Sequence, residues 1–259
     1  MLVRFEMFKK WLLALCVSGF ALNACAASDG AAATPEDTVR KAVQSVAPTI
    51  TIDSIKQAPL PGFYQVIAGG QLVFVSADGK YMLNGDLLDV AAKKNVTDSG
   101  WAAFRKAELA KVPESQRIVF GPANPRYKVT VFTDVNCGYC RALHEHAAAF
   151  TKAGIALEYV AWPRDGVTDP AGRNTQIYNE MVSVWCAADR KAAFTAAKEG
   201  KTPKSATCAN PVKDQFELGV KLGVTGTPTI FAEDGTMLGG YVTPEQMLQL
   251  LNKGKAAGG

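Results

Sequence analysis

The sequence lacks the basic runs and the large charge excess that are typical of proteins that bind nucleic acids. Its 28 lysines and arginines nearly balance its 24 aspartates and glutamates, which leaves a formal net charge of +4. Beyond the first 26 residues it also lacks an apolar run of the ~20 residues that a membrane-spanning helix needs. What is present is the ordinary composition of a folded protein, 48% apolar over 259 residues. That length favours one or two domains with a sizeable core and gives no reason to expect nucleic acid as a partner.

The N-terminus has the features of a secretory signal. Basic residues precede an apolar stretch of 12 residues at 11–22, and Ala24-Cys25-Ala26 then fits the small-x-small pattern of a cleavage site. We therefore predict a cleaved signal peptide over residues 1–26 and an exported mature protein. Lipidation of Cys25 is the alternative, which Asn23 disfavours because it is an awkward residue in a lipoprotein signal.

Six cysteines are present, and two of them lie in the predicted signal. The four in the mature chain are Cys137, Cys140, Cys186 and Cys208. An even number in an exported protein favours disulfides, and four cysteines allow three pairings. The close spacing of Cys137 and Cys140 makes their pairing natural and leaves Cys186 for Cys208, a bond that would stabilise the fold by roughly 3 kcal/mol. A second redox pair at Cys186 and Cys208 is the less favoured alternative, since the two are distant in sequence and lie in an Ala-rich helical segment.

The segment Cys137-Gly138-Tyr139-Cys140 follows an apolar stretch, 127–133, that predicts a strand. The residues after it, 141–150, predict a helix. Cys137 should therefore lie at the N-terminus of a helix, where backbone N–H groups and the helix dipole favour an anion. A thiol placed there has a lowered pKa and is a nucleophilic thiolate near neutral pH. Cys140 can attack any mixed disulfide that Cys137 forms, so the pair predicts thiol–disulfide chemistry.

A zinc site is the alternative for the same segment, because His144 and His146 follow the two cysteines. His144 lies about one helical turn after Cys140, but His146 faces elsewhere, so this helix alone hardly supplies four ligands. We therefore expect no metal. Both histidines are expected to be partly exposed, and His144 either tunes the thiolate or has a plain surface role.

The N-terminal part of the mature chain predicts a small unit of one helix and an antiparallel sheet. Helical spacing covers 36–46. Period-two segments separated by glycine turns predict strands at 63–67, 72–75 and 80–83. About 60 residues with no disulfide bury little surface, so this unit should need a partner surface.

A helical linker is predicted next. Its body is 101–111, with Thr97 or Asp98 as its cap and Pro113 at its end. A helix in this position is a semi-rigid spacer between two domains.

The rest of the chain predicts a second domain. A strand at 155–162 follows the helix after the cysteines and completes a βαβ unit with a right-handed crossover. An Ala-rich helical stretch over 172–223 comes next, then a hairpin around Asp234-Gly235 and a last helix opened by Thr243 and Pro244. This order of elements is thioredoxin-like. The predicted divisions are a signal peptide at 1–26, an N-terminal domain at 27–95, a helical linker at 96–116 and a thioredoxin-like domain at 117–259.

On these motifs the chain resembles the DsbC family of periplasmic thiol–disulfide isomerases, over nearly the whole mature chain. The active-site segment of that family is similar to 132–145, and its structural disulfide is similar to Cys186 with Cys208. Its substrate-binding loop is similar to 222–228. The resemblance implies an α+β and α/β fold with a small cystatin-like α+β dimerisation domain, a helical linker and a thioredoxin-like domain that carries a helical insertion.

The resemblance also implies the function. Cys137 and Cys140 would be the catalytic pair, tuned by Gly138 and Tyr139, and Thr227-Pro228 would bind substrate beside them through a cis peptide bond. A V-shaped homodimer in the periplasm would isomerise and reduce incorrect disulfides of misfolded exported proteins, with chaperone activity and no cofactor. A membrane thiol reductase of the DsbD type would supply electrons. The alternative is a DsbG-like reductase of sulfenylated single cysteines.

One position departs from thioredoxin itself. Thioredoxins carry a buried carboxylate six residues before the first cysteine, where this sequence has Val131. Proton uptake by Cys140 must then use water or another group, which fits a more oxidising protein than a cytosolic reductase. Gly138-Tyr139 matches the isomerase, whereas a proline in its first position would indicate the DsbG-like branch.

Overall fold

The computed structural model describes residues 33–257, and side chains as far as residue 254. The predicted signal peptide and the alternative lipidation at Cys25 lie outside the described residues. No helix among the described residues is long and apolar enough to cross a membrane.

The N-terminal unit is a helix packed on a four-stranded antiparallel sheet in sequential strand order. Helix α1 (Pro35–Val46) starts with a reciprocal capping pair, in which the Thr34 hydroxyl accepts from the Asp37 N–H and the Asp37 carboxylate accepts from the Thr34 N–H. One face of α1 carries Val39 and Val43 into the core of this unit. The strands are β1 (Ile52–Gln57), β2 (Phe63–Ala68), β3 (Gln71–Ser76) and β4 (Met82–Asn84).

Three of these strands confirm the predicted ones, and β1 was not predicted. Its residues are half-buried or exposed, and its register with β2 shifts between Ile52 and Ser54. A strand that buries no complete face has no clear period of two, so its pattern gives little signal.

The predicted helical linker is α2 (Val96–Leu109), but both caps proposed for it are wrong. Asn95 is the N-cap, and its side chain accepts from the Asp98 N–H at 3.1 Å. Thr97 is buried instead. Its hydroxyl accepts from the Leu87 N–H at 2.9 Å, which ties α2 to the chain before it. That chain forms the small hairpin of β5 (Leu88–Asp89) and β6 (Lys94–Asn95).

A five-stranded sheet forms the centre of the C-terminal domain, in the order β11-β10-β8-β9-β7. Strands β8 and β9 are parallel, with Tyr127 opposite Ile155, and the other pairs are antiparallel. The strands are β7 (Ile118–Phe120), β8 (Tyr127–Thr133), β9 (Ile155–Ala161), β10 (Thr229–Ala232) and β11 (Met237–Gly239). Strand β7 was not predicted; the others confirm the βαβ unit and the terminal hairpin.

The helix predicted over 141–150 is two helices, α3 (Gly138–Glu145) and α4 (Ala147–Lys152). They are separated at His146, whose N–H bonds to the Leu143 oxygen in a tightened last turn. The Ala-rich stretch is helical as predicted and contains three helices, and Pro244 begins a fourth, the predicted C-terminal helix. These are α5 (Gln176–Trp185), α6 (Arg190–Lys198), α7 (Val212–Lys221) and α8 (Pro244–Ala257).

Helix α2 packs against the C-terminal domain through buried contacts. Arg105 is buried, its Nε donates to the Leu222 oxygen at 3.0 Å, and its guanidinium lies over the rings of Trp101 and Phe231. Burial lowers the pKa of Arg105 to about 10, so it remains charged near neutral pH. Lys221, at the end of α7, binds the Glu108 carboxylate at 3.1 Å.

Candidate active site

Cys137 occupies the position that the sequence predicts, at the point where β8 leads into α3. It is the N-cap residue of α3 and is 3% exposed. In its protonated form, Cys137 donates from Sγ to the backbone oxygen of Thr227 at 3.1 Å. Both Cys137 and Cys140 are free thiols in this structure.

The surroundings of Cys137 stabilise a thiolate. A hydrogen bond from the Cys140 thiol makes the largest contribution to lowering the pKa of Cys137 to about 5, against the opposing effect of burial. The Thr227 side chain, the Cys140 N–H and the positive charge of Arg164 lower it further. Cys137 is therefore a thiolate near neutral pH, which is the form that attacks disulfides.

Cys140 is held as a thiol. It is fully buried, and burial raises its pKa well above the ordinary value, with a further increase from its hydrogen bond to Cys137. Lys198, the Thr133 side chain and the Asp134 N–H act in the opposite direction. The two pKa shifts together give an ionised first cysteine and a protonated second one.

The loop before β10 contributes Thr227 and Pro228, which were predicted as a substrate-binding pair. The peptide bond between them is cis, as the resemblance implies. Pro228 is buried, and the buried Thr227 hydroxyl has no hydrogen-bond partner among the described residues. Their assignment to substrate binding stays a prediction.

The two residues between the cysteines face open space. A Cβ at Gly138 would meet nothing within 4 Å. Tyr139 is 69% exposed, and its ring centre lies 6.4 Å from that of Tyr241. Both residues therefore lie at the surface through which a substrate would reach Cys137, and their tuning role stays a prediction.

The expectation that both histidines are partly exposed is wrong for His144. His144 is 8% exposed, with Nδ1 3.2 Å from the Tyr159 hydroxyl and Nε2 3.0 Å from the Thr195 hydroxyl. Burial lowers its pKa to about 4, so the ring is neutral near neutral pH. His146 is exposed. The helix turns His144 inward because it lies one residue after the core residue Leu143 and one turn after Cys140.

The geometry is unfavourable for the alternative zinc site. Both ring nitrogens of His144 contact hydroxyl groups rather than the cysteines. In the part of the chain that the structure describes, no three side chains of the metal-binding types come together.

Cys186 and Cys208 are joined by a disulfide across 22 residues of sequence. Cys186 ends α5 next to Trp185, which packs in the core of the C-terminal domain. The bond therefore ties the inserted helices together. Its structural rather than redox role stays a prediction.

The sequence interpretation missed Lys198. This lysine is 5% exposed and lies close to the thiols, where its Nζ donates to the Thr133 hydroxyl at 2.7 Å. A signal was present, because Phe194, Ala197 and Lys198 have the spacing of one buried helix face. Arg164 was also missed; it pairs with the buried Asp134 carboxylate.

Comparisons with known proteins match both parts of the chain. Residues 30–98 match the family described as disulfide bond isomerase protein N-terminal domain, and residues 114–255 match the thioredoxin-like domain family. The limits of the predicted domains remain predictions, but both domain types are confirmed.

Several curated relatives carry one name, thiol:disulfide interchange protein DsbC. The protein from Dickeya dadantii is 36% identical over 78% of this chain and 82% of its own length. That from Escherichia coli K12 is 32% identical over 79% of this chain and 83% of its own. The crystal structure of a disulfide interchange protein from Neisseria gonorrhoeae is 27% identical, with a TM-score of 0.46 over 55% of this chain and 97% of that one. By its domain matches and its curated relatives, this chain belongs to the DsbC family of thiol:disulfide interchange proteins and is a thiol–disulfide oxidoreductase and isomerase.

Proposed function

We propose that the protein isomerises and reduces incorrect disulfides of exported proteins, with Cys137 as the nucleophile and Cys140 as the resolving thiol. The observation that carries this proposal is the opposite direction of the two pKa shifts. A thiolate at the helix start attacks first, and a buried thiol kept in its protonated form acts later. That order leaves time for a substrate to rearrange.

The proposed reaction is a series of balanced exchanges. The Cys137 thiolate attacks one sulfur of a substrate disulfide, the S–S bond breaks, and the other substrate sulfur leaves as a thiolate. In isomerisation, a second substrate thiolate attacks the mixed disulfide at the substrate sulfur and releases Cys137 unchanged. In reduction, Cys140 loses its proton and attacks the Cys137 sulfur, which releases a reduced substrate and forms the Cys137–Cys140 disulfide.

Substrate binding beside Cys137 is assigned to Thr227 and Pro228. The backbone oxygen of Thr227 contacts the Cys137 sulfur at 3.1 Å. An extended substrate segment that pairs with this backbone would bring its disulfide against the thiolate, as in β-strand addition. The exposed ring of Tyr139 adds an apolar contact next to the same place.

A homodimer is the proposed assembly, and exposed apolar side chains of the N-terminal unit support it. Tyr81, Met82 and Leu83 are 65%, 38% and 47% exposed, on and beside the edge strand β4. An uncovered apolar edge strand is a template for pairing with another chain. Light scattering of the mature protein tests this assembly, and a monomer at micromolar concentration would contradict it.

The periplasm is the proposed location, which follows from the predicted signal and from the family. Isomerisation needs Cys137 and Cys140 in the reduced state, so an oxidising compartment requires an electron donor. A membrane thiol reductase of the DsbD type is the proposed donor.

Chaperone activity is the second proposed property, and suppression of aggregation by a Cys137→Ala/Cys140→Ala double variant tests it separately from the chemistry.

Refolding of scrambled ribonuclease tests the central proposal. Cys137→Ser should abolish recovery of ribonuclease activity, because no nucleophile remains. Cys140→Ser should keep part of the activity and accumulate mixed disulfides, because the resolving step is lost. Cys186→Ala/Cys208→Ala, which leaves both active-site thiols in place, is the matched control. Full recovery with Cys137→Ser would refute the proposal, and a strong preference for a sulfenylated peptide over scrambled ribonuclease would favour the DsbG-like activity.

A further inference from the structure

A lysine is buried beside the resolving thiol. Lys198, the last residue of α6, is 5% exposed, and its Nζ lies 4.9 Å from the centre of the Phe194 ring. The Nζ donates to the Thr133 hydroxyl at 2.7 Å and to the backbone oxygen of Asp134 at 2.9 Å. Both acceptors lie where β8 ends and the chain turns toward Cys137. A buried ammonium group is costly unless it is paired, so this position calls for an explanation.

No carboxylate forms an ion pair with Lys198 among the side chains of residues 33–254. The nearby Asp134 carboxylate binds Arg164 and accepts the Asn136 N–H instead. The titratable and charged groups around Lys198 are Asp134, Cys137, Cys140, Arg141, His144 and Tyr159, with Glu145 in the same cavity and Glu199 next to it in the chain. Its surroundings therefore offer the Cys137 thiolate, but no carboxylate ion pair, to balance the charge.

The resolving step needs a proton acceptor inside the protein. Cys140 is fully buried and protonated, and it can attack a mixed disulfide only as a thiolate. Val131 occupies the strand position of the thioredoxin carboxylate and has no acid–base chemistry. The Thr133 hydroxyl accepts from the Lys198 amine at 2.7 Å, and it also acts on the Cys140 thiol, whose pKa it lowers. A hydroxyl both donates and accepts, so it connects the two groups.

We propose that Lys198 takes the proton of Cys140 through the Thr133 hydroxyl when Cys140 attacks the mixed disulfide, and returns it when the pair is reduced. This inference rests on the proposed roles of Cys137 and Cys140. Lys198 is then a positioning residue, because it holds the proton of Cys140 by way of Thr133 and does not contact the substrate.

The step balances. The Cys140 S–H bond breaks, its proton moves to Thr133 Oγ1, and the hydroxyl proton of Thr133 moves to the neutral Lys198 amine. The Cys140 thiolate then forms a bond to the Cys137 sulfur, and the substrate sulfur leaves as a thiolate that takes its proton from solvent. When an external dithiol reduces the Cys137–Cys140 disulfide, the Lys198 ammonium returns one proton to Cys140.

The charge state of Lys198 suits this role. Burial lowers its pKa to about 8, against the opposing effect of the sulfurs and Asp134, so a useful fraction of the amine is neutral near neutral pH. A surface cavity of ≈ 350 Å³, lined by Arg141, His144, Lys198 and Glu199, gives the amine access to solvent protons. Because burial lowers the pKa of His144 to about 4, its ring is a much weaker base than the Lys198 amine and does not compete for the proton.

Reaction of the reduced full-length mature protein with glutathione disulfide tests the proposal. Acid quenching and mass spectrometry separate the first phase, in which Cys137 becomes glutathionylated, from the second, in which Cys140 resolves the adduct. Lys198→Met should leave the first phase unchanged and slow the second by about 100-fold near neutral pH, as expected for loss of an internal base. The second-phase rate of the wild type should level off above about pH 8, whereas that of Lys198→Met should keep rising with hydroxide concentration.

Lys191→Met is the matched control, because Lys191 lies on the same helix but is exposed. Both of its phases should equal those of the wild type. A wild-type second phase in Lys198→Met would overturn the inference, and so would a slower one that levels off at the same pH, since that result indicates a structural role. Absence of the first phase in the wild type would instead refute the proposed role of Cys137, and this inference with it.

A measurement on the wild type keeps the proposal testable if Lys198→Met does not fold. Nuclear magnetic resonance of ¹³C-labelled lysine should show Lys198 titrating near pH 8 in the reduced protein. In the oxidised protein it should titrate at lower pH, because the disulfide removes the negative charge that the sulfurs contribute. Titration at the ordinary lysine pKa, or at the same pH in both redox states, would overturn the proposal.

Discussion

The sulfur of Cys137 lies 3.1 Å from the backbone oxygen of Thr227, across 90 residues of sequence. The loop that ends in Pro228 thereby lies against the helix that begins at Cys137. This contact joins the reactive sulfur to the backbone that we assign to substrate binding. The nucleophile and its binding surface are therefore one structural unit, supported by β8 on one side and β10 on the other.

The low pKa of Cys137 should depend first on Cys140. The Cys140 thiol makes the largest favourable contribution, so Cys140→Ala should raise the pKa of Cys137 clearly above about 5, toward its ordinary value near 9. The pH dependence of iodoacetamide alkylation measures this directly. Cys140→Ser retains a hydroxyl donor and is the control, with a smaller rise expected. Equal pKa values in the wild type and the alanine variant would mean that the helix terminus, Thr227 and Arg164 activate Cys137 without the Cys140 thiol.

The same pKa shift predicts a pH-dependent stability of the reduced protein. The pKa of Cys137 is lower in the folded state than in the unfolded state, so folding is favoured by ionisation. This stabilisation is complete above the unfolded pKa near 9, decreases as the pH falls, and is lost below about pH 5. The urea midpoint of the reduced wild type should therefore exceed that of Cys137→Ala by a margin that grows from pH 5 to pH 9. A constant margin over this range would contradict the linkage.

The Cys186–Cys208 disulfide should stabilise the fold without affecting the reactive pair. Its two cysteines are 22 residues apart. Replacing both with alanine should lower the free energy of unfolding by roughly 3 kcal/mol in the chain-entropy model. Urea denaturation of the oxidised proteins measures the loss, and the Cys137 alkylation rate should remain that of the wild type. If a redox titration against glutathione reduced Cys186 and Cys208 as readily as the reactive pair, a structural role would be wrong.

The sequence predicted the reactive pair and the central strands because those features are local. Strand β8 is a continuous apolar run, and the position of Cys137 at the start of α3 follows from where that run ends. Strands β5, β6 and β7, of two or three residues, and the half-exposed β1 were missed, because short or half-exposed strands have little periodicity.

The buried polar contacts could not be predicted in the same way. The inward position of His144 depends on Tyr159 and Thr195, which lie on a different strand and a different helix. The contact of Lys198 with Thr133 joins positions 65 residues apart. Such pairs are set by tertiary packing, and a lysine in an Ala-rich helix is ordinarily a solvated residue.

The position of α2 on the C-terminal domain should depend on the absence of a side chain at Gly235. This glycine has a φ of +85° in the turn between β10 and β11, and a Cβ there would lie 2.0 Å from the backbone oxygen of Ala102 in α2. Gly235→Ala should therefore cost backbone strain and also displace α2.

Gly172 is the matched control, because its φ is +77° but a Cβ would meet nothing within 4 Å. Gly172→Ala should lower the free energy of unfolding by about 1 kcal/mol from strain alone, and Gly235→Ala should lower it by clearly more. The oxygen of Ala102 belongs to the backbone of a helix, so it cannot rotate away as the end of a flexible side chain would. Equal losses in urea denaturation would mean that α2 is free to move away from the turn, which its buried Arg105 contacts argue against.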